Sequence, residues 1–232
     1  MQGSSKNSYH IYGLNTVDLI FKSCPQRIIE IHTVANLMHK FSGIKVVKTT
    51  AKELNHLFPD VNHQNVVALV KSKPHLQFEE LVSNEDLDRI VILDRITDIG
   101  NIGAIIRSAL AFKINKFILP KHDSCIDASK IAKSSSGYSE LAQIAVATNL
   151  NDVLAELKKQ NYWCFGLDGL AKNDITILKN YPKLALVLGN EHQGIKASLR
   201  KNCDMLVKIP TDGIVESLNV SVAAAITFYN IK

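Results

Sequence analysis

The sequence predicts an α/β protein of two domains, a small one followed by a larger one built on a mainly parallel sheet. Three observations carry that expectation. Short strand patterns alternate with helix patterns along nearly the whole chain. In the second part, strand patterns such as IVIL and LALVLG have no polar alternation, as strands read when helices cover both faces of a parallel sheet. Between the two parts runs KPHLQFEELVSNEDLDR, which holds a proline, many acids and no strand period, and suits a linker with one short helix.

The elements follow in order. Residues 1–8 are expected to be a disordered start. A small α/β module over 9–72 takes a helix in NTVDLIFKS, a strand in RIIEIHT, a helix in ANLMHKFS, a strand in GIKVVKTT, a helix in KELNHLF and a strand in NVVALVKS. Residues 73–88 form the linker. The second domain, 89–232, opens on RIVIL and a helix in IGAIIRSALAF, then a strand in INKFILP, a helix near DASKIAKSS and a strand in QIAVAT. It continues with helix LNDVLAELKKQ, strands YWCFGLD and LALVLG, short helix IKASLRK, strand MLVKIP and a last helix in ESLNVSVAAAITFYN.

Composition narrows the classes. With 232 residues and 46% hydrophobic content the chain can bury a sizeable core. An excess of 27 Lys and Arg over 22 Asp and Glu, +5 in net charge, is compatible with a polyanion and equally with a small-molecule substrate. Cys24, Cys125, Cys164 and Cys203 lie far apart, so free thiols in a reducing compartment are expected rather than a disulfide framework. No apolar run approaches the roughly 18 residues of a membrane span, and the start lacks an apolar leader, so a cytoplasmic location is expected. The histidines are scattered, with pairs such as His56 and His63 too far apart in sequence for two ligands on one helix face, and no metal is expected.

Three loops after strands of the second domain carry the chemistry, because open α/β sheets bind ligands beyond the carboxyl ends of their strands. In the first, Asp98, Asn101, Gly103 and Arg107 form D-x-x-N-x-G-x-x-x-R. Gly100 and Gly103 permit a sharp turn, Asn101 is able to cap the helix, and Arg107 falls on an otherwise apolar helix pattern that reads as buried, where it needs an anionic or carbonyl partner. In the second, LVLGNEHQGI, an apolar strand ends in Gly189, Asn190, Glu191 and Gly194. Backbone amides at such a turn suit an adenosine or phosphate, and Glu191 suits a cation. The third, IPTDGIVESLNVSVAAAITFY, enters a helix rich in Ser221, Ala223, Ala224 and Ala225, where something packs close to the backbone. Singly, each loop also reads as a capped turn, a polar loop or a tightly packed helix.

In order and spacing the stretches LDRITDIGNIGAIIRSA, LVLGNEHQGI and IPTDGIVESLNVSVAAAI resemble the three motifs of the SpoU (TrmH-like) branch of the SPOUT methyltransferases. The resemblance covers roughly residues 88–232, and its third motif is the most specific. It implies an α/β SPOUT domain with a deep trefoil knot forming an S-adenosylmethionine site, transfer of a methyl group to a ribose 2'-hydroxyl of RNA, and a homodimer packed through the knotted domain. YGLNTVDLIFKSCPQRIIEIH and NHQNVVALV, in turn, look like the L30e-like RNA-binding extension of members that methylate a guanosine ribose of 23S rRNA.

Carried over position by position, the resemblance assigns Arg107, Asn101, Glu191 and Asn219 to catalysis. It assigns Leu188, Gly189, Ile209, Ser217 and Leu218 to the cofactor. Glu191 is expected to hold Arg107, with Asn101 and Asn219 orienting Arg107 or the ribose. Guanidinium groups stay protonated in proteins, so Arg107 is expected to act as a fixed cation on a phosphate and a developing alkoxide rather than as a base.

Two positions depart from the family pattern. Ile99 stands where a proline is usual, a loss of about a kcal/mol or less through chain entropy. His192 stands where glycine is usual, and its Cβ disfavours a left-handed backbone there. Other readings are a tRNA 2'-O-ribose methyltransferase of the same family and a catalytically silent RNA-binding protein that keeps the fold. A nicotinamide dehydrogenase is disfavoured, since no G-x-G-x-x-G follows a strand.

Overall fold

The computed structural model describes residues 7–82, 85–122 and 127–232. In chain order the elements are β1 (Ser8–Tyr12), α1 (Leu14–Ser23), β2 (Ile28–Thr33), β3 (Val46–Lys48), α2 (Ala51–Leu57), β4 (Val66–Lys71) and α3 (Phe78–Leu81). They continue with β5 (Asp88–Leu93), α4 (Ile99–Ala111), β6 (Lys116–Pro120), α5 (Ala128–Ser134), β7 (Gln143–Ala147) and α6 (Leu150–Lys159). Last come β8 (Trp163–Leu167), β9 (Asn173–Asp174), β10 (Lys183–Leu188), α7 (Ala197–Lys201), β11 (Met205–Lys208) and α8 (Val220–Ile231). The expected disordered start lies outside the described residues as far as residue 6, and Ser8 already belongs to β1. Cys125 also lies outside them.

These elements divide into two units. The first joins the chain up to Pro74 with Asp127–Leu141, and the second takes His75–Ile126 and Ala142–Lys232. The strands of the first unit form one mixed sheet in the order β1-β4-β2-β3, with β4 antiparallel to both neighbours and β2 parallel to β3. Ile11, Ile31, Val66, Ala68 and Val70 turn from the sheet toward Val17 and Ile20 of α1 to make its core. A capping box starts α2, with Thr50 Oγ1 accepting from Glu53 N at 3.2 Å and Glu53 Oε2 accepting from Thr50 N at 2.7 Å. The segment ANLMHKFS gives a 3-10 turn over Ala35–Lys40 instead of the expected α-helix. It has no side-chain cap and buries none of its residues, so nothing offsets the entropy of a longer helix.

The segment Asp127–Leu141, assigned by the sequence pattern to the second domain, packs in the first unit. Ala132 enters the first core, Ser129 Oγ donates to His10 O at 2.6 Å, and Glu140 is 5% exposed. The Glu140 carboxylate accepts from Tyr9 Oη at 2.7 Å and from Arg27 Nη1 at 2.6 Å, while Lys73 Nζ donates to Glu140 O at 3.0 Å. Burial, and then the Glu140 charge, push the Tyr9 hydroxyl well above its ordinary pKa of 10.0.

The second unit holds a seven-stranded sheet in the order β7-β6-β5-β10-β8-β11-β9, every described pairing parallel. One face of this sheet, through Ile90, Ile92, Ala185 and Val187, packs on Leu150, Val153, Leu154 and Leu157 of α6. Helices α4 and α8 lie against each other, α4 burying Ile102, Ile105, Ile106 and Ala109, and α8 burying Val220, Ala224 and Phe228. Helix α8 begins at Val220, so Glu216, Ser217 and Leu218, expected within it, belong to the preceding loop. At the amino edge Asp88 is fixed by Lys116 Nζ at 2.6 Å, by Tyr162 Oη and by its neighbour's amide, Arg89 N, at 2.9 Å. The chain runs outward from β5 to β6 and β7 on one side, whereas β10, β8, β11 and β9 lie on the other. The order therefore reverses between β5 and β10, and the carboxyl ends of these two strands are where such a sheet places a ligand.

Candidate active site at the carboxyl edge of the second sheet

The loops after β5 and β10 are neighbours because the strands pair in register, Leu93 opposite Leu188. Beyond that pair Asp94 N donates to Leu188 O at 2.8 Å, and the two chains then part. Asp98 closes the first loop and caps α4, its Oδ1 accepting from Asn101 N at 2.7 Å. The cap is thus Asp98 and not Asn101, which frees the Asn101 amide to face the second loop.

That amide is the hub of the site. Asn101 Nδ2 donates to Glu191 Oε1 at 2.7 Å, and Asn219 Nδ2 donates to Asn101 Oδ1 at 3.1 Å. Asn219 in turn is the N-cap of α8, its Oδ1 accepting from Ser221 N at 2.8 Å and Ser221 Oγ at 2.6 Å. One predicted residue from each of the three loops therefore joins a single hydrogen-bonded chain, whose donor and acceptor directions fix both asparagine amides. Because Asn101 offers both an amino group and a carbonyl, it is the residue type that can link a carboxylate to a second amide.

Arg107 lies on α4 six residues beyond Asn101 and is exposed. The expectation that it is buried is corrected. The buried stripe of α4 is Ile102, Gly103, Ile105, Ile106 and Ala109, and Arg107 shares the opposite stripe with the exposed Gly100 and Ala111. The exposed cation thus shares a helix with Asn101.

The residues assigned to the cofactor lie at three places on the same edge. Leu188, 1% exposed, ends β10, and Gly189 turns the chain beneath the hairpin pairing of Asn190 with Gly194. A Cβ on Gly189 would stand 2.3 Å from Gly194 C and Ile195 N, so only glycine fits. Ile209 follows β11, while Ser217 and Leu218 lead into Asn219. Between Ile209 and Leu218 the loop exposes apolar side chains, Ile214 at 91% and Val215 at 54%. Exposed apolar side chains of this kind suit the face of an adenine, whose edge needs hydrogen bonds.

His192 takes no left-handed conformation. The positive-φ residues of the two facing loops are Gly194, at 63°, and Arg95, at 56°. Asn190 Oδ1 accepts from His192 N at 3.0 Å and Gln193 N at 3.2 Å, so the turn is shaped by Asn190 and the glycine is needed at 194. Asn190 is named with its loop, but Arg95 and Gln193 carry no spacing signal, since they meet across almost a hundred residues of chain. The charged pair Asp94 and Arg95 after an apolar strand is the local sign of this cluster.

Gly189→Ala tests the tightness of this turn. It is expected to cost about 1–3 kcal/mol of unfolding free energy, because the added methyl meets backbone and not a yielding side chain. Urea denaturation of the variant reads this, and unchanged stability would mean that the turn has room.

Among the described residues no group of three or more His, Cys, Asp and Glu side chains is arranged to hold a metal ion. Among them, too, no helix is long and apolar enough to cross a membrane.

A parallel α/β unit whose strand-order reversal carries three interlinked polar loops defines a ligand-binding α/β domain of the nucleotide or cofactor type. The profile of the SpoU rRNA Methylase family matches residues 88–229, and the chain belongs to that family. Among its curated relatives, a 23S rRNA (guanosine-2'-O-)-methyltransferase RlmB of Vibrio parahaemolyticus is 31% identical over 94% of either chain. The enzyme of the same name from Neisseria meningitidis is 33% identical, over 94% of this chain and 92% of its own. Among solved structures, the SpoU methyltransferase AviRb of Streptomyces viridochromogenes, in complex with the cofactor AdoMet, shares the fold. The TM-score is 0.81 at 22% identity, covering 97% of this chain and 89% of that one.

Proposed function

We propose that this protein is an S-adenosylmethionine-dependent RNA methyltransferase that methylates the ribose 2'-hydroxyl of a guanosine in 23S rRNA. The observation that carries this reading is the chain Glu191–Asn101–Asn219, which unites the three family motifs at one point of the sheet edge. Relatives that carry this activity in their name align along 94% of the chain, which supports extending the reading to the first unit.

S-adenosylmethionine, when bound, supplies an electrophilic methyl group on a sulfonium. The protein's part is to hold the 2'-oxygen in line behind that carbon, since most of the gain in such a transfer comes from fixed geometry. Leu188, Gly189, Ile209, Ser217 and Leu218 hold the adenosine portion with backbone groups and apolar side chains. Asn101 and Asn219 orient the ribose, and Glu191 fixes the rotamer of Asn101. Arg107 binds the adjoining RNA phosphate and stabilises negative charge on the 2'-oxygen as its proton passes to solvent water; the new O–CH3 bond replaces the broken S–CH3 bond.

The finer architecture follows the same reading. The loop and helix after β11 close a deep trefoil knot around the cofactor, and the first unit, which joins the chain up to Pro74 with Asp127–Leu141, acts as an L30e-like RNA-binding domain. A homodimer packs through the knotted domain. Support for the dimer is the apolar surface left on α8, where Val222 is 48%, Ile226 39% and Tyr229 60% exposed at helical spacing. A ribosomal RNA substrate places the enzyme in the cytoplasm.

Methyl transfer from labelled S-adenosylmethionine to 23S rRNA and to bulk tRNA is the test. Label on a guanosine 2'-oxygen of 23S rRNA is expected. Label in tRNA alone would overturn the substrate while keeping the reaction, and no label in either would favour an RNA-binding protein without catalysis.

A further inference from the structure

The loop that carries Gly189 and Glu191 is held by a residue of the first motif to which the family resemblance assigns no role. Arg95 stands one residue beyond Asp94 after β5, with its side chain 23% exposed and its φ at 56°. Its guanidinium forks across the gap between the two loops. Nη1 donates to Gln193 Oε1 at 2.8 Å and Nη2 to Gly194 O at 3.2 Å, while Nε lies 3.3 Å from Asp94 Oδ1. The return contact is Asn190 Nδ2 donating to Arg95 O at 3.0 Å. Asp94, 3% exposed, holds the far end of the same loop, its Oδ2 accepting from Lys196 N at 2.7 Å. The Arg95 carbonyl, the Arg95 guanidinium and the Asp94 carboxylate thus seize the 190–196 turn at its start, at its crest and at its end.

We propose that Arg95 is a positioning residue for the cofactor turn: it clamps residues 190–194 so that Gly189 and Glu191 keep the geometry that the site uses. The inference rests on the methyltransferase reading given above. A planar fork is needed, because one group must reach an amide oxygen and a backbone carbonyl at once, and a lysine ammonium on its flexible stem reaches one of them. The left-handed backbone turns the side chain back over the loop, and Asn190 holds that conformation through the Arg95 carbonyl. Arg95 touches no reacting atom in this scheme. It acts through the turn, with Glu191 passing the position on to Asn101.

The test compares wild type, Arg95→Gly, Arg95→Lys, Gln193→Ala and the Arg95→Gly/Gln193→Ala double variant. Glycine adopts the positive φ freely, so Arg95→Gly removes the fork without straining the backbone. Binding of S-adenosylhomocysteine is read by calorimetry, and KM for S-adenosylmethionine and for 23S rRNA by steady-state labelling. Arg95→Gly is expected to weaken S-adenosylhomocysteine roughly tenfold, in line with losing charged hydrogen bonds. It is expected to raise KM for S-adenosylmethionine by a similar factor and to leave KM for RNA unchanged. Arg95→Lys is expected to stay weak, and the double variant to be no weaker than Arg95→Gly, because both changes release one clamp. Gln193→Ala alone, which leaves the backbone of residue 95 untouched, is expected to show a smaller loss in the same direction, and so serves if Arg95→Gly fails to fold.

Wild-type affinity in Arg95→Gly, full rescue by lysine, or additive losses in the double variant would overturn the clamp. Failure of wild type itself to bind S-adenosylhomocysteine or to label RNA would instead overturn the activity on which the clamp depends.

Discussion

Replacing Arg107 by alanine is expected to lower kcat for methyl transfer by about 100- to 1000-fold, the loss seen when one group that stabilises developing negative charge is removed. KM for S-adenosylmethionine should hardly move, since Arg107 lies on α4 and not on the turns assigned to the cofactor. Because its side chain is exposed, the substitution should leave thermal stability nearly unchanged, which separates the effect from unfolding. Arg107→Lys keeps a cation but loses the planar fork, and an intermediate rate is expected. A rise in KM for RNA with kcat intact would reduce Arg107 to a docking cation and remove it from the chemical step. The measurement is single-turnover labelling of 23S rRNA at saturating enzyme, which isolates chemistry from product release.

The exposure of Arg107 also marks where sequence reading ends. Periodicity located α4 and its apolar stripe, yet Arg107 stands one position from Ile106 and two from Ala109, and a rotation of one residue decides between core and solvent. The strands were legible because their apolar runs are long and unbroken, and the reversal between β5 and β10 follows from loops that pattern cannot order. The site residues came from motif spacing, which identifies types but not partners. Spacing suggested an Asn101 cap, whereas Asp98 sits three residues earlier and takes that role, and only then is Asn101 free to reach Glu191. The Arg95 clamp and the membership of Asp127–Leu141 in the first unit depend on contacts between distant parts of the chain, for which one sequence has no local signal. For His192, the family's glycine pattern pointed to a strained position, and the Asn190 side chain instead builds a turn that histidine enters without a positive φ.

That distant membership is itself open to a stability test at Glu140. Its carboxylate, with a side chain 4% exposed, meets an Arg27 side chain 15% exposed, and the same oxygens accept from Tyr9. Arg27 Nη2 is further tied to Lys71 O at 2.8 Å, so the guanidinium cannot swing out to water without losing that hydrogen bond as well. Glu140→Ala leaves a cation with little exposure and no counter-charge, and removal of one partner from a buried pair costs about 3–5 kcal/mol. Glu140→Gln keeps an acceptor for Arg27 and Tyr9 in the same shape, so a smaller loss is expected. Urea denaturation followed by tyrosine and tryptophan signals measures both. The Tyr9 hydroxyl supplies an independent readout, because the Glu140 charge is the second cause, after burial, of its raised pKa. Absorbance titration should therefore find Tyr9 closer to its ordinary value in Glu140→Gln than in wild type. The sign for stability follows: a raised folded pKa means that the contribution of Tyr9 is complete below pH 10.0 and is lost as pH rises through the folded value. A loss under about 1 kcal/mol in Glu140→Ala, within the range of surface ion pairs, would mean that the pair is effectively solvated and that the hydrophobic contacts of Ala132 suffice to hold the segment.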